Sequence, residues 1–294
     1  MARWALAILA LVLLGLGLFF FIRGRSVSVP PPVVTPPIVV APPQSEVIGK
    51  SVEGRDISAH YYYGSDKTDK ELLFIGGIHG GYEWNSVILA YQFMDYLATN
   101  PEVVPANLKV AVIPALNPDG VYKVIGKEGR FAIADVPKGV NTKPGRFNAH
   151  GIDLNRNFDC EWAPESTWQG NKVSAGTAPF SEPEAAALRA FVLRAKPSAV
   201  ILWHSQANAI YAAECGAGIS TETRAIMEAY SKASGYPGND TFSAYPVTGD
   251  AEGWLASIGI PALTVELKTH ETVEWLENLA GAKALFEYYK TGIM

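Results

Sequence analysis

The chain has 294 residues, two cysteines and a net charge of −5 at neutral pH. This length suits one large domain or two small ones, and two cysteines are too few for a disulfide-built scaffold or a four-cysteine zinc site. All 29 acidic residues lie beyond residue 25, whereas three of the 24 basic residues precede residue 26, so the body of the chain is acidic. Because affinity for nucleic acid comes largely from Lys and Arg, we expect no nucleic-acid partner.

The N-terminus carries a long apolar segment. Residues 4–22, WALAILALVLLGLGLFFFI, contain no charge and are flanked by Arg3, Arg23 and Arg25. As a helix they would span about 29 Å, which matches the hydrocarbon core of a bilayer. No small-x-small cleavage motif follows, so we expect residues 1–25 to be an uncleaved signal anchor in the cell membrane, a single-pass transmembrane helix. Cleavage of this segment would instead release a secreted form.

A proline-rich stretch comes next. Residues 30–43 contain seven prolines, a composition that favours an extended polyproline II spacer over a packed core. We therefore expect residues 26–44 to be a linker that holds the following domain away from the membrane, which is most useful outside the cytoplasm. In an exported domain Cys160 and Cys215 could form one disulfide bond, although two unpaired thiols are equally compatible with the sequence.

From residue 45 to residue 294 the composition is that of a globular domain, in which short β-rich runs alternate with helical patterns. Strands are predicted at 72–77, 108–116, 198–205, 208–213 and 261–267. Helices are predicted at 84–99, 182–196, 221–235 and 271–290. This alternation predicts a single α/β domain with a mixed, mostly buried central sheet that is flanked by helices.

Three of these strands lead into residues that can bind a metal or move a proton. His79 and Glu83 follow the first strand, His204 lies near the end of the third, and Glu266 lies near the end of the last. Ligands of open α/β sheets bind beyond the carboxyl ends of the strands. Two imidazoles and one carboxylate with an open fourth position form the ligand set of a catalytic zinc site, and a further carboxylate can act as base. Taken singly, His204 could equally be a core histidine, and Glu266 could pair with Lys268.

The segment GRFNAHGIDLNRNFDCEW, residues 145–162, is rich in turn formers and polar side chains. An arginine such as Arg156 binds a carboxylate through two parallel hydrogen bonds, and Asn155 beside it can add a third. A metal-bound histidine commonly donates its other N–H to a carboxylate, and Asp153 could play this part for His79. A polar turn with a solvated arginine is the alternative for this segment.

Several motifs in one order carry a resemblance to a known family. They are His79 with Glu83, DLNRNF at 153–158, PFSEPE at 179–184, WHSQ at 203–206 and GIPALTVEL at 259–267. Together they resemble the zinc metallocarboxypeptidases of the carboxypeptidase A type, from residue 47 to about residue 290. The resemblance implies that residues 45–294 are a zinc carboxypeptidase catalytic domain.

The resemblance also implies roles at the reacting centre. His79, Glu83 and His204 match the three ligands of one Zn²⁺ per chain. Glu266 matches the glutamate that serves as general base and acid through the zinc-activated water. Arg146 matches the arginine that polarises the scissile carbonyl and stabilises the developing oxyanion.

The substrate-binding residues can be carried over in the same way. Asn155 and Arg156 match the pair that holds the terminal carboxylate of the substrate. Tyr245 matches the mobile tyrosine that closes over the bound C-terminus. Glu252 falls at the position of the family's specificity residue, where an acidic side chain would favour a cationic group, and Asp250 competes for that role.

One spacing differs from the family. Two residues usually separate the first histidine from the glutamate, whereas three separate His79 from Glu83. We expect Gly80 and Gly81 to absorb the extra residue as a tight bulge, so that Glu83 still reaches the metal.

The sequence thus predicts a monomeric, membrane-tethered zinc metallocarboxypeptidase that hydrolyses the C-terminal bond of peptides with a free carboxylate. An alternative within the same family is an amidohydrolase of peptidoglycan stem peptides, or muropeptides. A catalytically inactive surface binding module is a third possibility, and it would bind no stoichiometric zinc.

Overall fold

The computed structural model describes residues 44–65 and 68–291. The predicted membrane anchor at 1–25 lies outside these residues, as does the predicted linker at 26–44 except for its last residue. Within the described part of the chain, no helix has the length and apolar character needed to cross a bilayer.

A mixed sheet forms the centre of the described domain. Its eight strands are β1 (Gln44–Lys50), β2 (Asp56–Tyr63), β3 (Lys70–Ile75), β4 (Leu108–Ile113), β7 (Ala199–Ser205), β8 (Ala209–Ala212), β9 (Gly238–Asn239) and β10 (Ala262–Leu267). They lie in the order β1-β2-β4-β3-β7-β10-β8-β9, and a separate hairpin pairs β5 (Glu165–Trp168) with β6 (Asn171–Ser174). The neighbours β4, β3, β7 and β10 are parallel, whereas β1, β2 and β8 each run antiparallel to a neighbour.

Helices cover both faces of this sheet. They are α1 (Trp84–Thr99), α2 (Pro118–Ile125), α3 (Pro183–Ala195), α4 (Thr221–Ser234), α5 (Ala251–Ser257) and α6 (Trp275–Thr291). Three short 3₁₀ turns carry residues of the predicted site: Gly80–Glu83, Lys143–Arg146 and Leu154–Arg156.

The parallel strands are apolar on both faces because both faces are covered. In β3 the side chain of Phe74 packs with α1, α4 and α6, and its neighbours Leu73 and Ile75 pack with α3 and α5 on the opposite face. Every residue of β7 is buried. Two cores on either side of one sheet therefore hold the central strands in place.

The expected mixed α/β fold is confirmed, and the five predicted strands and four predicted helices all form, with ends that shift by up to four residues. The sequence patterns do not reveal β1, β2, β9, the β5–β6 hairpin, α2 or α5. Strand β2, DISAHYYY, is only partly buried, and its polar residues obscure the alternation. Helix α5 has seven residues, including a glycine, which is too short to show a helical period.

The packing of α6 on α4 depends on one glycine and generates a stability prediction. A Cβ atom at Gly281 would lie 2.2 Å from the ring of Tyr230. Although alanine exceeds glycine in helix propensity by about 1 kcal/mol, we expect Gly281→Ala to lower the free energy of unfolding by about 1–3 kcal/mol because the site is overpacked. Denaturant unfolding measures this change. In a Tyr230→Leu background the same substitution should cost nothing or stabilise, and an equal cost in both backgrounds would refute the steric explanation.

Candidate metal centre and substrate pocket

The carboxyl ends of three adjacent parallel strands bring the predicted residues together. His79 is the fourth residue after the end of β3. His204 on β7 pairs in register with Glu266 on β10. Glu83 ends the 3₁₀ turn that runs directly into α1. The sheet topology, and not sequence proximity, therefore places His204 beside His79.

The extra residue between His79 and Glu83 is accommodated in this 3₁₀ turn. Gly80 has φ +47°, a left-handed conformation that favours glycine. A Cβ atom at Gly80 would lie 2.6 Å from the carbonyl oxygen of Gly145, and one at Gly81 would lie 2.6 Å from the carbonyl oxygen of Gly120. The turn thus packs closely against two other backbone segments, and there is no room for a side chain at Gly80 or Gly81.

His79, Glu83 and His204 form a buried cluster of possible metal ligands. His79 Nδ1 lies 2.8 Å from Glu83 Oε1, while His204 Nδ1 lies 3.2 Å from Glu83 Oε2 and 3.3 Å from His79 Nδ1. Ligands at 2.0–2.1 Å from a tetrahedral zinc ion are about 3.3 Å apart. The atoms that face one another are lone-pair donors, and a divalent cation between them would accept all three lone pairs. The residues present fit the zinc ion that the resemblance implies.

The remote nitrogen of each histidine faces a carboxylate. His79 Nε2 lies 3.4 Å from Asp153 Oδ1, as the sequence predicted, and His204 Nε2 lies 3.1 Å from Glu252 Oε1, which the sequence did not predict. All four side chains are buried. Carboxylates at these positions favour the tautomer in which Nδ1 of each ring carries the lone pair.

Opposing effects act on the buried carboxylates of this cluster. Burial by itself would raise the pKa of Glu83, but the charges of His79 and His204 outweigh it and hold the pKa well below its usual range. Burial acts in the same direction on Asp153, and the guanidinium groups of Arg146 and Arg156 outweigh it, so its pKa is also well below the usual range. Both carboxylates are therefore ionised.

Glu266 differs from these two groups. Its Oε2 atom is buried and has no hydrogen-bond partner among the described residues. Burial, reinforced by the charge of Glu83, raises the pKa of Glu266 to about 8. A carboxyl group in this state can take up and release a proton near neutral pH.

Arg146 is fixed in place beside the histidine cluster. Its Nε and Nη2 atoms donate to Asp153 Oδ2 over 2.9 and 2.8 Å. Its guanidinium lies over the ring of Trp168, 4.6 Å from the centroid. Nη1 is 3.9 Å from Glu83 Oε1. Arg146 thus presents a preoriented positive charge to the pocket that it lines.

Asn155 and Arg156 lie on the short 3₁₀ turn that Asp153 caps, since Asp153 Oδ1 accepts a hydrogen bond from the Asn155 amide over 3.2 Å. Arg156 Nη1 donates to the Asn155 carbonyl over 2.6 Å, and its Nε is buried without a hydrogen-bond partner among the described residues. Asn155 Oδ1 accepts from the Ala251 amide over 2.8 Å. An unpartnered guanidinium N–H at this position is available to an anion.

One cavity unites most of the predicted site. His79, Arg146, Asn155, Arg156, His204, Tyr245, Asp250, Glu252 and Glu266 all line it. Of the predicted site residues, Glu83 and Asp153 do not line this cavity and instead contact the histidines.

The far wall of the cavity is aromatic and acidic. The ring of Tyr245 packs against Phe242, with centroids 4.9 Å apart, and Phe242 packs against Tyr211. Asp250 accepts a hydrogen bond from the Gly253 amide over 2.7 Å and so caps α5. Burial, together with the charge of Glu252, raises the pKa of Asp250 to about 6.

A disulfide bond supports this wall. Cys160 is bonded to Cys215, which settles the two possibilities that the sequence left open in favour of the bridge. The bond joins the segment that follows Arg156 to the loop after β8, where Glu214 lines the cavity. The bond thereby links the segment after the 154–156 turn covalently to the loop that carries Glu214.

Two contributors to the site are not evident from the sequence. Trp168 lies on the β5–β6 hairpin and packs on Arg146 and on Tyr82. The strands of this hairpin have four residues each and are largely exposed, so no periodic pattern marks them. His270, a lone histidine in the sequence, has its Nδ1 atom 2.8 Å from Ser205 Oγ, and its ring packs on Tyr82.

Comparison with known proteins agrees with this geometry. The zinc carboxypeptidase family, peptidase M14, matches residues 43–280, and the chain belongs to this family. It is 34% identical to carboxypeptidase Z of Rattus norvegicus over 122 residues, which are 38% of this chain and 17% of that protein. It is 27% identical to γ-D-glutamyl-L-diamino acid endopeptidase 1 of Lysinibacillus sphaericus over 223 residues, which are 67% of this chain and 54% of that protein. The chain thus spans about half or less of these curated relatives.

Solved structures share the fold. Murein-tripeptide amidase MpaA from Escherichia coli O157 superposes with a TM-score of 0.61 and 23% identity, over 83% of this chain and 92% of that one. Thrombin-activatable fibrinolysis inhibitor superposes with a TM-score of 0.66 and 20% identity, over 85% of this chain and 70% of that one.

The metal centre can be tested by metal content. We expect the purified domain to hold about one zinc ion per chain after dialysis, and we expect His204→Ala to hold almost none because one of three ligands is lost. Mass spectrometry of the metal measures both. His150→Ala is the matched control, since His150 is exposed and pairs with Glu182 instead, and it should retain zinc. Full zinc occupancy in His204→Ala would contradict this centre.

Proposed function

We propose that this protein is a zinc-dependent hydrolase that cleaves the peptide bond next to a free C-terminal carboxylate, with zinc held by His79, Glu83 and His204. The observation that carries the proposal is the content of a single cavity. The two histidines of the metal-binding cluster, the carboxyl group of Glu266 and the guanidinium of Arg156, whose Nε lacks a partner among the described residues, line the same space.

The binding step uses the turn at 154–156. Arg156 pairs with the terminal carboxylate of the substrate, and its buried Nε atom gains the hydrogen bond that it lacks among the described residues. Asn155 adds a further polar contact. Tyr245, on the opposite wall, closes over the bound residue.

The chemical step requires a nucleophile and charge stabilisation. Zinc, when bound, would acidify a water molecule and polarise the scissile carbonyl. Glu266 accepts the proton of the attacking water and then donates a proton to the departing amine. Arg146, held by Asp153 and Trp168, stabilises the negative charge that develops on the carbonyl oxygen.

The pocket wall supports a cationic side chain on the substrate. Asp250 and Glu252 both line the cavity, and Glu214 lines it as well. Three carboxylates around one space favour an ammonium or guanidinium group.

A second candidate substrate is a peptidoglycan stem peptide. The names of two similar proteins, a murein-tripeptide amidase and a γ-D-glutamyl-L-diamino acid endopeptidase, support this proposal. A diamino acid carries an ammonium group, which the acidic wall suits. The reacting residues would be the same for either substrate.

The deciding experiment compares wild type and Glu266→Gln on both substrate classes. The first substrate class is peptides that end in Lys or Arg, and the second is muropeptides that contain a diamino acid. We expect the wild-type domain to hydrolyse one of these two classes. Glu266→Gln should lower kcat by about 10²–10⁴-fold because the proton acceptor is lost, while zinc content stays unchanged.

Three results would contradict parts of this proposal. Near-normal turnover by Glu266→Gln would remove Glu266 from the mechanism. Equal hydrolysis of substrates with an amidated C-terminus would remove the role of Arg156. A domain that holds no stoichiometric zinc and cleaves neither substrate class would favour the binding-module alternative.

We further propose that residues 1–25 anchor the protein as a monomer in the membrane, with residues 45–294 outside the cytoplasm. The apolar run at 4–22 and the disulfide bond support this location. Cell fractionation tests it: the full chain should pellet with membranes, and a chain without residues 1–25 should not. Recovery of the full chain in the soluble fraction would contradict the anchor.

A further inference from the structure

We propose that Glu252 is a positioning residue that fixes the tautomer and ring orientation of His204, and that it is not the side chain that selects the substrate. The inference rests on the proposed zinc site and concerns how one of its ligands is held. It revises the role that the family resemblance implies for this position.

The first observation is the environment of the His204 ring. Its Nδ1 atom faces Glu83 and His79, at 3.2 and 3.3 Å. Its Nε2 atom, across the ring, is buried, makes no hydrogen bond within the described residues and lies 3.1 Å from Glu252 Oε1 as an ion-pair contact. Among the described residues, Glu252 is the one carboxylate within 4 Å of this nitrogen. A rotated ring would break both sets of contacts.

The second observation is that Glu252 is itself held. Thr264 Oγ1 donates to Glu252 Oε1 over 3.1 Å, from the same face of β10 that carries Glu266. Glu252 lies in the first turn of α5, whose N-terminus Asp250 caps, and its side chain is only 4% exposed. An oxygen shared by Thr264 and His204 is poorly placed to receive a substrate cation as well.

The third observation is the matching arrangement around His79. There Nε2 faces Asp153 Oδ1 at 3.4 Å, and Asp153 is held in turn by Arg146. In both histidines Nδ1 faces the cluster, and the buried Nε2, which makes no hydrogen bond within the described residues, lies within 3.4 Å of a buried, anchored carboxylate. Outer carboxylates of this kind fix the tautomer of a ligating imidazole and raise its basicity.

This assignment changes which residue faces the substrate. With Glu252 engaged by His204, the remaining acidic groups of the wall are Asp250 and Glu214. Asp250 accepts from the amide of Gly253, and no ion pair with a described histidine engages its carboxylate. Selection of a cationic side chain would then fall to Asp250 or Glu214.

The experiment measures zinc affinity, which does not depend on turnover. Glu252→Gln keeps the volume and an acceptor oxygen but removes the charge, whereas Glu252→Ala removes the acceptor. Loss of such an outer carboxylate typically weakens metal binding about 10- to 100-fold. We expect Glu252→Ala to fall in that range and Glu252→Gln to show a smaller loss, by competition with a fluorescent chelator. The absorption spectrum of the Co²⁺-loaded variants should also shift, because the ligand field at His204 changes.

Asp250→Asn is the matched control, since asparagine still caps α5 and the residue lines the same cavity. Its zinc affinity should stay within about twofold of wild type. Melting temperatures of the apo proteins verify that each variant is folded, and Glu252→Gln decides the question where Glu252→Ala does not fold.

Unchanged zinc affinity in Glu252→Gln and Glu252→Ala, with a lost preference for cationic C-terminal residues, would overturn the inference and restore Glu252 as the selecting residue. Failure of the wild-type domain to bind zinc would instead refute the proposed function itself. The two failures are distinguishable because the first requires a zinc-loaded wild type.

Discussion

The site depends on one buried carboxylate held between two imidazoles. Glu83 lies 2.8 Å from His79 and 3.2 Å from His204, and none of the three is more than slightly exposed. Ionised groups are costly to bury unless they are paired or coordinate a metal. With both imidazoles neutral, the cluster offers two nitrogen lone pairs and one carboxylate to a divalent cation. The surrounding structure holds the side chains of His79, Glu83 and His204 at these distances.

Asp153 connects this cluster to the substrate-binding side of the cavity. One of its oxygens faces His79 and accepts from the Asn155 amide, while the other accepts two hydrogen bonds from Arg146. A single buried carboxylate therefore positions the ring of His79, the guanidinium of Arg146 and the turn that carries Arg156. The burial of this carboxylate is costly by itself, and the hydrogen bonds and ion pairs to both of its oxygens offset that cost.

The central strands and the proximity of His79, His204 and Glu266 could be predicted because apolar runs that end in His204 and Glu266 are visible in the sequence, and parallel strands align their carboxyl ends. Trp168 could not be predicted, since the strands of its hairpin have only four residues each and show no period. The contact between Glu252 and His204 could not be predicted either. It depends on which way a seven-residue helix faces, and a helix of two turns has no period from which a face can be read.

The unusual spacing of His79 and Glu83 also ties the metal centre to the backbone around it. The turn at 80–83 adopts its conformation because Gly80 and Gly81 lie against Gly120 on α2 and Gly145 in the turn before Arg146, at distances that no side chain permits. A substitution at any of these glycines must move one backbone segment. Movement of the 143–146 turn carries Arg146 with it, and movement of the 80–83 turn carries Glu83. The geometry of the metal ligands and that of the arginine are therefore not independent, because both are set by the same close contact between main chains.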